Sequence, residues 1–142
     1  MQIHNILVVC IGNICRSPMA EYLLKQAYPD QLVHSAGISG LTGHLADEKA
    51  KRCMQRLGID IRSHSARKLN TELIKQADLI LVMSQNQQKH IEQQWPFAKG
   101  KTFRLGHWQS KNIADPYQHD QNVFDETCQL IQHCVADWKK HI

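Results

Sequence analysis

Apolar residues cluster in short runs along the chain, separated by stretches of helical periodicity. Ile6-Leu7-Val8-Val9 is β-branched and does not alternate with polar residues, the pattern of a strand buried on both faces of a parallel sheet. Leu32-Val33-His34-Ser35, ended by Ala36-Gly37, reads as a second strand, Asp78 to Met83 as a third and Thr102 to Leu105 as a fourth. Ser17-Pro18 reads as a helix start, with Ser17 as N-cap, Pro18 as first helical residue and Glu21 as a first-turn acid. Met19, Leu23 and Ala27 then recur at helical spacing. Further helices are expected from Asp47 to Leu57 with a stop at Gly58, from Thr71 to Gln76, and from Gln85 to Gln94 before Trp95-Pro96. A last one is expected from Asn122 to Lys140, with Phe124, Cys128, Ile131, Val135 and Trp138 on one face. Ser39 to Gly43, Ile59 to Lys68 and Gly106 to His119 read as loops. Alternating strands and helices imply an α/β fold with a mostly parallel sheet and right-handed crossovers.

Length and composition narrow the class. The 142 residues suit a single domain spanning 1–142, and 42% hydrophobic with 21% charged residues is a globular balance. No apolar run approaches the roughly 18 residues that cross a bilayer, so no membrane insertion is expected. Met1-Gln2-Ile3-His4-Asn5 lacks the basic region of a signal peptide, and five scattered cysteines suit a reducing compartment, so the expected address is cytoplasmic. A net charge of +4 without a block of Lys or Arg gives no footprint for nucleic acid. Nine His and five Cys include no Cys-x2-Cys or His-x3-His pair, so no metal and no cofactor are expected.

The chemistry concentrates in Cys10-Ile11-Gly12-Asn13-Ile14-Cys15-Arg16-Ser17-Pro18, which begins where a buried strand ends and finishes where a helix begins. Ligands of open α/β sheets sit at that edge. A short loop there can turn successive backbone N–H groups inward as an anion nest, reinforced by the helix N-terminus. Gly12 allows close approach or a positive φ, and Asn13 tolerates the left-handed region. Arg16 supplies a planar fork for two phosphate oxygens, and the same field favours a nucleophilic sulfur anion at Cys10.

This segment resembles the signature loop of the low-molecular-weight protein tyrosine phosphatases. Ser35-Ala36-Gly37, Gly58-Ile59-Asp60, Ser63-His64-Ser65-Ala66-Arg67, the Asp78 to Met83 strand and Asp115-Pro116-Tyr117 extend the resemblance over almost the whole chain. It implies a four-stranded parallel sheet flanked by helices and hydrolysis of phosphotyrosine through a cysteinyl-phosphate. By this resemblance Asp115 is the general acid, Ser17 steadies the thiolate, and Asn13, Ser35 and His64 form a network that holds the loop. Ile11, Ile14, Leu41 and Tyr117 line the cleft. Ile14 stands where arginine phosphatases of this fold carry Thr, which points to phosphotyrosine. Cys15 matches a second loop cysteine able to form a protective disulfide with Cys10. Ser84 stands where many relatives have an acid, which leaves His64 without an ionic partner there.

Gly106-His107-Trp108 and the compact loops resemble the bacterial branch acting beside autophosphorylating tyrosine kinases of polysaccharide export. Three other readings are distinguishable. A thioredoxin-coupled arsenate reductase of this fold needs a cysteine pair after the third strand, where this chain has none between Met83 and Lys89. A metal-binding protein needs ligand spacings that are missing. A phosphopeptide-binding module would keep the anion loop without needing an acid at 115.

Overall fold

The computed structural model describes residues 2–142. Its elements are β1 (Asn5–Cys10), α1 (Arg16–Ala27), β2 (Leu32–Gly37), α2 (Glu48–Arg56), α3 (Thr71–Gln76), β3 (Leu79–Val82), α4 (Gln85–Gln94), β4 (Thr102–Arg104) and α5 (Gln121–Lys139). Short 3-10 turns at Pro96–Ala98 and His107–Gln109 were not legible in the sequence.

The four strands are parallel and ordered β2-β1-β3-β4. Alternate side chains explain the unbroken apolar runs. Ile6, Val8, Leu79 and Leu81 join a core with Met19, Leu24, Met54, Phe124, Ile131 and Trp138 from α1, α2 and α5. Leu7, Val9, Ile80 and Val82 face a second core with Ile74, Ile91 and Trp95, on the side of α3 and α4. A strand buried on both faces has no polar side to show, so strict alternation disappears.

Strand order places β1 at the switch point, because the chain leaves it toward β2 on one side and β3 on the other. The loop that follows β1 therefore opens at the sheet's C-terminal edge. The segment after β4 returns to that edge: Leu105 N–H donates to Val82 O at 2.7 Å, and Ile113 N–H to Met83 O at 2.8 Å. This carries Asp115 across to the β1 loop.

The helix ends separate into two kinds. Asp47, Asn70, Ser84 and Asp120 cap α2, α3, α4 and α5 by accepting N–H bonds two or three residues on. α1 has no side-chain cap. The expected start at Ser17-Pro18 is corrected: α1 begins at Arg16 after Cys15, and Glu21 lies beyond the first turn. Ser17 is diverted by a longer-range partner, described below. Ser84 is occupied as a cap, accepting from Gln87 N–H at 3.2 Å. Among the described residues no helix is long and apolar enough to cross a membrane.

Candidate active site

Between β1 and α1 the chain makes a tight loop whose carbonyls all point outward. Cys10 O accepts from Ile38 N–H, Ile11 O from Ser39 and Gly40 N–H, Gly12 O from Leu41 N–H, and Ile14 O from Asp47 N–H. Asn13 O accepts from His64 Nε2 at 2.7 Å, which fixes the proton of that ring on Nε2. Among the described residues, the N–H groups of Ile11, Gly12, Ile14 and Cys15 have no protein acceptor. Outward carbonyls and free inward donors are the arrangement that binds an anion, and the uncapped N-terminus of α1 adds its partial positive charge.

The turn depends on Asn13, whose φ is 63°. Gly12 carries no positive φ, and an added Cβ there would meet Leu41 at an ordinary 3.4 Å, so the left-handed position expected near Gly12 falls on Asn13 alone. Asn13 is fully buried. Its Nδ2 donates to Ser17 Oγ at 2.8 Å and Ser35 Oγ at 2.9 Å, and its Oδ1 accepts from Arg67 N–H at 3.0 Å. Such local bonding is what lets Asn hold the left-handed region. Gly37 is needed for a different reason: a Cβ there would lie 2.5 Å from Ile11 O.

Cys10 Sγ lies 2.9 Å from Ser17 Oγ and accepts from Asn13 N–H at 3.3 Å. Behind Ser17 the polar chain runs through Asn13 and Ser35 to Glu21, which accepts from Ser35 and pairs with Lys25 at 2.7 Å. Arg16 is buried, and its Nη1 donates to Ile113 O at 2.8 Å. Its Nη2 lies 3.7 Å from Asp115 Oδ2, while its buried Nε has no partner among the described residues. An unpaired buried guanidinium N–H beside free backbone donors is a costly arrangement that an oxyanion relieves. Asp115 is half exposed, and its Oδ1 accepts from Tyr117 N–H at 3.1 Å across Pro116, which holds the carboxyl in a fixed turn.

A cavity of about 150 Å³ brings these groups together, with Cys10 and Arg16 at the loop and Asp115 opposite. Ile11, Gly12, Ile14, Cys15, Leu41 and Tyr117 line it as well. Ile11, Leu41 and Tyr117 are exposed and form the rim. Asn13, Ser17, Ser35 and His64 do not line it; all four are buried behind the loop. Burial, followed by the charges of Asp47, Asp115 and Cys10, pushes the Cys15 thiol far up and keeps it protonated.

Sequence reasoning missed Ser39, which lines the cavity, and the parts played by Glu21 and Arg67. Arg67 Nε donates to Ser35 O at 2.9 Å, and its guanidinium meets His34 Nδ1. His34 Nε2 bonds Asn5 Oδ1 at 2.7 Å. Arg67 stands in the stretch from Ser63 to Arg67, but nothing local ties it to Asn13.

The sequence matches the family described as Low molecular weight phosphotyrosine protein phosphatase over residues 5–142. It is 78% identical over 142 residues to the low molecular weight protein-tyrosine-phosphatase Ptp of Acinetobacter johnsonii, covering all of both chains. It is 47% identical to the probable low molecular weight protein-tyrosine-phosphatase EpsP of Ralstonia nicotianae, covering 99% of this chain and 97% of that one. The crystal structure of the tyrosine phosphatase Wzb from Escherichia coli K30 in complex with sulphate superposes with a TM-score of 0.95 at 38% identity, covering 99% of each chain. A β1–α1 anion loop on this sheet, matched along its length by such relatives, makes the chain a member of the low molecular weight phosphotyrosine protein phosphatase family.

Proposed function

We propose that this chain hydrolyses protein phosphotyrosine in two steps at Cys10. The single observation that carries the reading is that Cys10 sulfur, the Arg16 guanidinium and the Asp115 carboxyl face one small cavity beside loop N–H groups that have no acceptor among the described residues. In the first step the Cys10 thiolate attacks phosphorus and the P–O bond to the tyrosine oxygen breaks. Asp115 donates a proton to the departing phenolate. In the second step Asp115 accepts a proton from water, whose oxygen attacks phosphorus, and the S–P bond breaks to release phosphate and the thiolate. Arg16 and the loop N–H groups hold the three equatorial oxygens through both steps, where charge is spread over them. Ser17, 2.9 Å from the sulfur, donates to the departing thiolate.

Ile11, Ile14, Leu41 and Tyr117 supply apolar walls around the loop, which suit a flat phenyl ring. A phosphoserine would leave its phosphorus short of the sulfur. The chain lacks the cysteine pair that arsenate reduction would need after β3. By resemblance, the physiological substrate is the tyrosine-rich tail of an autophosphorylating bacterial kinase of polysaccharide export, met in the cytoplasm.

Aryl phosphate hydrolysis by wild type and Cys10→Ser, with vanadate as competitor, tests the chemistry. Activity in the wild type, its loss in the variant and vanadate inhibition support it; equal activity in both forms contradicts it. Incubation of the purified protein with a phosphorylated kinase of that class, followed by anti-phosphotyrosine detection, tests the partner.

A further inference from the structure

Outside the cavity at the β1 loop, α2 packs on α5, and Cys53 and Cys128, two thiols with no part in the proposed reaction, line one cavity there. All five cysteines are free. Cys53 and Cys128 are each only 4% exposed, yet both line a surface-opening cavity of about 180 Å³ together with Arg56 and Asp125. That is ample for a hydroperoxide, since a single water-sized probe occupies about 10–15 Å³.

Polar groups hold the Cys53 sulfur in place. Its thiol donates to Asp125 Oδ1 at 3.0 Å, and Gln121 Nε2 donates to its sulfur at 3.2 Å. Asp125 Oδ2 is in turn paired with Arg56 at 2.6 Å, so a cation stands beside the pair. A cysteine that only fills a core needs none of these partners.

We propose that Cys53 and Cys128 are a redox site separate from the catalytic loop, oxidised by hydroperoxides to a disulfide that staples α2 to α5. The mutual contact of the two thiols lowers Cys128 from its ordinary value, while that contact, burial and the Asp125 carboxylate raise Cys53. The hydrogen bond from Cys53 to Asp125 keeps the proton on the Cys53 sulfur, which makes Cys128 the attacking sulfur and Cys53 the resolving one. Cys128 thiolate attacks one peroxide oxygen, the O–O bond breaks, and Cys128 becomes a sulfenic acid as the leaving hydroxide takes up a proton. Cys53 then attacks that sulfur, its proton passing by way of Asp125 to the departing oxygen. The S–S bond forms, the S–O bond breaks, and the second oxygen leaves as water. Two thiols lose two electrons in total, and the hydroperoxide is reduced to water and the corresponding alcohol or a second water.

The full chain is treated with hydrogen peroxide, quenched with catalase, alkylated in denaturant and mapped by peptide mass spectrometry. The expected product is a Cys53–Cys128 linked peptide. Cys128 is consumed at least about tenfold faster than Cys134, which is fully buried and whose thiol burial pushes up to about 11. Cys128→Ser removes the link and leaves Cys53 alkylatable, whereas Cys134→Ser keeps it. In Cys53→Ser, Cys128 accumulates as a dimedone-reactive sulfenic acid. The stapled wild type melts at a higher temperature than the reduced protein. The inference is overturned if Cys53 and Cys128 both remain alkylatable after Cys10 has been fully oxidised, or if the linked peptide forms only when peroxide is added to unfolded chain. Neither result bears on hydrolysis at Cys10, so the two readings fail independently.

Discussion

Asn13 sits at φ 63° with its side-chain amide shared among Ser17, Ser35 and the Arg67 N–H. Asn13→Ala leaves two buried hydroxyls and the half-buried Arg67 N–H short of a partner, and puts a Cβ without compensation in the left-handed region. It is expected to cost about 2–3 kcal/mol of stability in urea unfolding. Activity on an aryl phosphate is expected to fall by about 100-fold, as the sulfur and the N–H groups lose register. An unchanged rate in a fully folded variant would show that the network does not position the loop. His34 offers a second test at this scale. Burial, then the Arg67 charge facing Nδ1, lowers its folded value below the ordinary 6.5. The unfolded chain therefore binds a proton that the folded chain refuses, and stability falls as pH drops below about 6.5 toward the folded value. Above about 6.5 His34 makes no pH-dependent contribution. His34→Gln, compared with wild type by urea unfolding from pH 7 to 5, should flatten this slope; identical slopes would remove His34 as its source.

At the scale of elements, α1 differs from its neighbours in being left uncapped, and its first turn is built for the loop instead. Ser17 illustrates why local reading fails at such a place. By local chemistry Ser17-Pro18 is a cap followed by a first helical residue. In the folded chain the hydroxyl turns back to Cys10 and Asn13, and the helix starts two residues earlier. The four strands and the remaining helices were legible within a residue or two because burial on both sheet faces and side-chain caps are local signals. The parts of Ser39, Glu21 and Arg67 were not, because Glu21 meets Ser35 14 residues on, Arg67 meets Asn13 and Ser35 54 and 32 residues back, and Ser39 joins a cavity wall drawn from other loops. The register of β1 and β2 gives a sharp prediction. Cys10 pairs with Gly37, and a Cβ at 37 would press into Ile11 O. Gly37→Ala is expected to cost about 1–3 kcal/mol and to weaken vanadate inhibition, because the loop must move off β2. A variant with native stability and native vanadate affinity would contradict this seating of the loop.

Across the whole molecule, the sheet brings together groups far apart in sequence. Cys10 and Arg16 come from the first connection, Ser39 and Leu41 from the segment after β2, and Asp115 and Tyr117 from the segment after β4. This division allows binding and proton transfer to be separated. Asp115→Asn should lower turnover of an aryl phosphate by about 10²–10⁴-fold while leaving inorganic phosphate inhibition nearly unchanged. Parallel loss of both would mean that Asp115 serves the shape of the cavity and not the proton.

The central claim is that the loop after β1 presents the Cys10 sulfur to a phosphoryl group. The most direct measurement is rapid acid quenching of wild type and Asp115→Asn during turnover of a labelled aryl phosphate, with the label located by peptide mapping. The account predicts phosphate bound covalently to Cys10. Turnover that proceeds with no label on the protein, or with the label on another residue, would contradict it.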